Sequence, residues 1–120
     1  MYDHIGLKTS DLASAVRFYG AALAPLGHVL CVHEETFAGL GPKESPALWL
    51  YAHDGSAGPG VHVAFTAPSR AAVDRFHAAG IAAGGRDNGQ PGLRQDYSPN
   101  YYAAFLLDPD GNNVEAVCFT

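Results

Sequence analysis

Residues 2–8, Tyr-Asp-His-Ile-Gly-Leu-Lys, alternate well enough to be read as a half-buried strand. Ser10 and Asp11 follow with side-chain oxygens suited to the free N–H groups of a first helical turn. Leu12, Ala15, Val16, Tyr19 and Leu23 then recur at three- and four-residue spacing, which predicts a helix from near Leu12 to a stop before Pro25 and Gly27. Beyond it the period shortens again. Strands are predicted at 28–33, 35–40 and, after the Gly41-Pro42 break, 47–51.

A stretch rich in Gly, Ser, Ala and Pro, residues 53–60, reads as a linker, and past it the opening pattern returns as Val61-His62-Val63-Ala64-Phe65-Thr66. Pro68-Ser69 leads into a second helix with Ala72, Val73, Phe76 and Ala79 on one face, expected to stop at Gly80, and strands are predicted near 81–86, 101–107 and 112–119. An offset of 58 residues superimposes His4 on His62, Ile5 on Val63, Leu7 on Phe65 and Phe18 on Phe76. Each half therefore reads βαβββ, and internal duplication accounts for the register. The expected fold is α+β: one domain over 1–120, built of two βαβββ modules at about 1–55 and 60–120, whose sheets pair around a shared cleft.

Composition narrows the function without choosing it. With 120 residues, 48% hydrophobic and 16% charged, the chain supports one compact core. No apolar run approaches the roughly 18 to 20 residues of a membrane span, and the opening residues lack the pattern of an export signal, so a soluble, cytoplasmic protein without membrane association is expected. The net charge of −5 and the scattered Lys and Arg argue against nucleic acid as a partner and leave a small molecule as the expected one. Cys31 and Cys118 fall in predicted strands and lack CxxC spacing, so two reduced, buried thiols are expected.

Strand alternation sets His4 opposite Ile5 and Leu7, and His62 opposite Val63 and Phe65. If the apolar members pack under the helices, each imidazole is turned to the other face. In the last strand Val114, Ala116 and Cys118 share one face and Glu115 the other, with Asn113. A carboxylate in so apolar a strand is either exposed at an edge or neutralised by a partner, since burying it alone costs several kcal/mol. Two imidazoles and a carboxylate suit one divalent Fe, Mn, Ni, Co or Zn ion with coordination positions left open, whereas Ca prefers an all-oxygen shell. His4, His62 and Glu115 are the candidate metal ligands, with Glu115 also the candidate catalytic residue. Arg94 is placed to clamp an anionic substrate, Tyr101 or Tyr102 to offer a phenol, and Trp49 to line the pocket; surface and packing roles for the same residues stay open. His28, His33, His53 and His77 are read as solvent or packing residues.

Three segments carry a resemblance: His4-Ile5-Gly6-Leu7 with Ser10-Asp11-Leu12 and Phe18-Tyr19, then Gly60-Val61-His62-Val63-Ala64-Phe65, then Asp108-Pro109-Asp110-Gly111-Asn112-Asn113-Val114-Glu115. Together they resemble the glyoxalase, bleomycin-resistance and extradiol-dioxygenase (vicinal oxygen chelate) superfamily over almost the whole chain. The resemblance implies a cup-shaped mixed sheet, a metal on the matching residues, and substrate held by vicinal oxygens. It implies lyase, isomerase or ring-opening dioxygenase chemistry, or alternatively ligand binding of the bleomycin-resistance kind. Glyoxalase I carries a fourth Glu or Gln ligand on the last strand of its first module, where this chain has Ala47-Leu48-Trp49-Leu50-Tyr51, so glutathione-dependent isomerase activity is not expected. A homodimer is expected, with the site either within one chain or shared between two.

Overall fold

The computed structural model describes residues 1–54 and 60–120; most of the expected linker, residues 55–59, lies outside them. Strand β1 (Ile5–Thr9) leads to helix α1 (Leu12–Leu23) and a 3-10 turn (Ala24–Leu26), followed by β2 (Val29–His33), β3 (Phe37–Gly41) and β4 (Leu48–Ala52). The order then repeats as β5 (His62–Thr66), α2 (Arg70–Ala82), β6 (Arg86–Leu93), β7 (Tyr102–Leu107) and β8 (Asn113–Cys118). The two four-stranded sheets have equivalent orders, β1-β4-β3-β2 and β5-β8-β7-β6, with one parallel pairing in each, between its first and last strands. The βαβββ duplication expected from the 58-residue offset is thus realised, and its aromatic pair, Phe18 and Phe76, is wholly buried.

Local chemistry explains the elements. Asp11, rather than Ser10, caps α1, its Oδ1 accepting from Ser14 N at 3.1 Å, and Ser69 Oγ caps α2 by accepting from Ala72 N at 3.1 Å. Each helix lies on the apolar face of its sheet, so Leu7, Leu40, Leu48 and Leu50 meet α1 while Val114, Ala116 and Leu106 meet α2 in one continuous core. Cys118 is buried in that core and Cys31 is half-buried, both as free thiols.

Two sequence expectations change. Helix α2 does not stop at Gly80; it runs through it to Ala82 and is ended by Gly84 at φ 103°. Gly80 is instead a contact point, since a Cβ there would sit 2.3 Å from Leu106 Cδ1, 3.3 Å from Phe18 Cε1 and 3.4 Å from Ala22 Cβ. The strand expected over 81–86 accordingly lies later, at Arg86–Leu93, where the sheet edge admits Gly89 and Pro91.

The modules are joined by more than helix packing. Asp108, buried in the β7–β8 turn, accepts from Tyr19 Oη of α1 at 2.5 Å and from Asn112 N and Nδ2 at 2.8 Å each. Burial, followed by the adjacent Asp108 carboxylate, holds the Tyr19 phenol well above its ordinary pKa. Two residues on, Asp110 accepts from Thr9 Oγ1 at 2.5 Å and from Ser10 N and Oγ at 2.9 Å each. The Asp-Pro-Asp-Gly-Asn segment is therefore both a turn and the clasp between the halves.

Candidate metal centre

The second sheet presents one face to its helix and leaves the other open. On the open face β8 lies between β5 and β7, with Glu115 paired in register to Ala64 on one side and Phe105 on the other. Ala64 is small enough to leave room above the carboxylate. His62, one same-face position before Ala64, brings Nε2 to 3.0 Å from Glu115 Oε1. Tyr101, just before β7, donates its hydroxyl to Glu115 Oε2. Glu115 is thus nearly buried, with 3% of its side chain exposed against 49% for His62, and each of its oxygens has a partner. Glu115 is therefore buried rather than exposed at a sheet edge, and hydrogen-bond partners at both oxygens offset part of the cost of burying it.

Aromatic rings fix these groups. The His62 ring stacks on Phe105 at 6.3 Å between centres and 24° between planes. Tyr101 stands edge-on to Tyr97 at 5.0 Å and to Phe119 at 5.3 Å. Burial first, and then the hydrogen bond and charge of Glu115, push the Tyr101 phenol up to about 12, so it remains a proton donor through neutral pH. Arg94 lies over the same Phe105 ring, its Cζ 5.4 Å from the centre. Tyr102 is elsewhere, donating to Asp74 of α2 at 2.6 Å under the Arg70 guanidinium.

His4 is not brought to this pair. It precedes β1, more than half exposed, with Nδ1 2.7 Å from Asp3 Oδ2. The clasp accounts for the separation. The end of β1 is fastened to Asp110, and Asn112 in the same turn accepts from Val61 N at 3.0 Å, which sets the end of β1 beside the start of β5. His4 and Ile5, at the other end of β1, line a cavity of about 190 Å³ with Val63, Ala64 and Phe65. The two strands therefore pass in opposite senses, and His4 and His62 lie toward opposite ends. Among the described residues, no three His, Cys, Asp or Glu side chains gather so as to hold a metal ion. Within one chain, then, His62 and Glu115 are brought together and His4 is not.

Trp49 occupies the open face of the first sheet, its ring over Gly39, where a Cβ would approach Cζ3 to 2.8 Å, and 6.2 Å from Phe37. Glu44 is exposed in the β3–β4 turn with φ 64° and supplies no carboxylate within β4. His77, read from sequence as a solvent or packing residue, is buried against Asp87, Nε2 to Oδ1 2.9 Å. That hydrogen bond, with one from Gly89 N, lowers the Asp87 pKa. Phe105 escaped the sequence reading. Its signal was the turn itself: β7 and β8 pair as mirror images about Asp110, which puts Phe105 opposite Glu115.

The sequence profile of the Glyoxalase/Bleomycin resistance protein/Dioxygenase superfamily matches residues 2–116. The chain belongs to this superfamily. Its fold is shared with a glyoxalase/bleomycin resistance protein from Albidiferax ferrireducens, 31% identical over 98% of this chain and 97% of that one, with a TM-score of 0.80. A glyoxalase/bleomycin resistance protein/dioxygenase family enzyme from Burkholderia phytofirmans is 20% identical over 98% of both chains, TM-score 0.75. A putative glyoxalase from Bacillus halodurans is 22% identical over 98% and 94%, TM-score 0.73. No functionally curated protein matches the chain. Superfamily members often use a divalent metal, and in this chain an imidazole and a carboxylate meet on the open face of the second sheet.

Proposed function

We propose that this protein is a divalent-metal-dependent enzyme acting on a small oxygenated molecule, with the metal held by His62 and Glu115 of one protomer and His4 of a second copy. The observation that carries the reading is the division of the donors. A buried carboxylate and an imidazole meet on an open sheet face, while the third imidazole stands in solvent at the far end of the other module. Asp3 engages Nδ1 of His4, which leaves Nε2 toward a metal and orients the ring as a carboxylate behind a ligating histidine does. An Fe, Mn, Ni, Co or Zn ion there supplies Lewis-acid polarisation of a substrate oxygen. The chain's own groups do the rest. Tyr101 holds one Glu115 oxygen and leaves the other toward His62; the Phe105 ring sets the imidazole plane; Trp49 of the neighbouring copy supplies an apolar wall. With no carboxylate on β4, a glutathione-dependent isomerisation that uses a fourth ligand as base is disfavoured.

A second reading, a ligand-binding protein of the bleomycin-resistance kind, is favoured by one fact: both Glu115 oxygens are satisfied without a cation. Metal analysis of untagged protein separates the two. The enzyme reading expects one equivalent per chain and a dimer by light scattering, with His4→Ala, His62→Ala and Glu115→Ala each losing metal and His28→Ala retaining it. Refolding a mixture of His4→Ala and His62→Ala chains should restore an intact centre in mixed dimers. Wild-type protein that takes up no metal would leave the binding reading in place, and failure of the mixture alone would remove the shared site.

A further inference from the structure

Beyond β6, Arg94 folds back over its own strand. Its Nη1 donates to Gly92 O at 3.0 Å and its Nη2 to Gln90 O at 2.7 Å, with the guanidinium above the Phe105 ring. Two glycines make the shelf on which it rests. A Cβ at Gly89 would stand 3.3 Å from Nη2, and one at Gly92 would stand 3.3 Å from Nη1. A guanidinium carries five N–H donors, and only two are used here, so three have no acceptor among the described residues. Nor does Arg94 make an ion pair among them. A cation is thus fixed in orientation, half-buried and uncompensated, against the ring on which His62 also stacks.

We propose that Arg94 is the anion-recognition point of the cleft and that its ligand is a small monocarboxylate, its flat body along Phe105 and its carboxylate on the free edge of the guanidinium. The planar fork matches a carboxylate, and a single arginine offers one positive charge for one negative. The Arg94 Cζ lies 5.4 Å, and the His62 ring centre 6.3 Å, from the same Phe105 centre, so both groups border one aromatic ring. That a substrate places its oxygens on a metal at the other end rests on the function proposed above; the anion site itself requires no metal.

The test uses metal-free, full-length protein labelled with nitrogen-15, titrated with benzoate and with its neutral isostere benzamide while the arginine Nε–H signals are followed. Benzoate should move the Arg94 signal saturably and bind at least about tenfold more tightly than benzamide, the effect of one charge-assisted contact. The Arg17 and Arg70 signals should stay in place, and Arg94→Met should abolish the preference for the acid. Equal binding of the two probes, absence of a saturable shift at Arg94, or a preference surviving in Arg94→Met overturns the proposal. The wild-type comparison decides even if that variant folds poorly, and Arg94→Gln provides a second. Benzoate selectivity without metal uptake would leave the anion site standing and remove the metalloenzyme; metal uptake without benzoate selectivity would do the reverse.

Discussion

Tyr101 holds more of the site together than its position before β7 suggests. Its hydroxyl is the only donor to Glu115 Oε2 among the described residues, and its ring is fixed by Tyr97 and Phe119. Tyr101→Phe keeps the ring packing and removes the donor. It should cost about 1 to 3 kcal/mol in urea unfolding, as expected for a buried acceptor left unpaired. If Glu115 binds metal, affinity should fall about 10- to 100-fold, the usual effect of losing a group that orients a ligand. Unchanged unfolding and unchanged metal titration would show that the bond contributes nothing. At this scale the sequence was partly legible. Alternation along β8 marked Glu115 as the odd polar residue opposite Val114, Ala116 and Cys118, and that is how it lies. It left the phenol open between Tyr101 and Tyr102, because the choice depends on which face of β7 each serves.

Among the elements, α2 gives the sharpest test of packing against propensity. In an exposed helix, Gly→Ala gains up to about 1 kcal/mol. At Gly80 the new methyl would enter space held by Leu106 and Phe18, both fully buried, so neither can swing aside into solvent. Overpacking of this kind costs about 1 to 3 kcal/mol. The second effect outweighs the first, so Gly80→Ala should lower the thermal midpoint, and a rise would mean that the helices separate more easily than their packing implies. Read as a sequence, Gly80 is an ordinary helix terminator. Nothing local distinguishes a glycine that ends a helix from one that admits a neighbour, and the displaced strand prediction over 81–86 followed from the same ambiguity.

For the whole molecule, duplication was legible because it repeats side-chain types at a fixed offset, and the two βαβββ modules followed from it, while the superfamily was legible in the three motif segments. The relative docking of the halves was not legible. It is set by bonds between residues far apart in sequence, Tyr19 with Asp108 and Thr9 with Asp110, and these carry His4 away from His62. The meeting of His62 with Glu115 is compatible with the side-chain alternation read from the sequence, but the placement of His4 outside that pair was not legible there. No helix among the described residues is long and apolar enough to cross a membrane. The clasp also bears on how this chain can vary in length. Hairpin tips ordinarily absorb extra residues with little harm. Here the tip between β7 and β8 is spoken for on both sides: Asp108 and Asp110 grip the first module, and the strand that follows carries Glu115. A Gly-Ser pair inserted between Asp110 and Gly111 should lower the melting temperature and loosen the His62–Glu115 pair together, whereas the same insertion in the exposed Lys43–Glu44 turn should leave both nearly intact. Lineages descended from this chain are then free to lengthen at the β3–β4 turn and constrained at the β7–β8 turn, although both turns lie at the molecular surface.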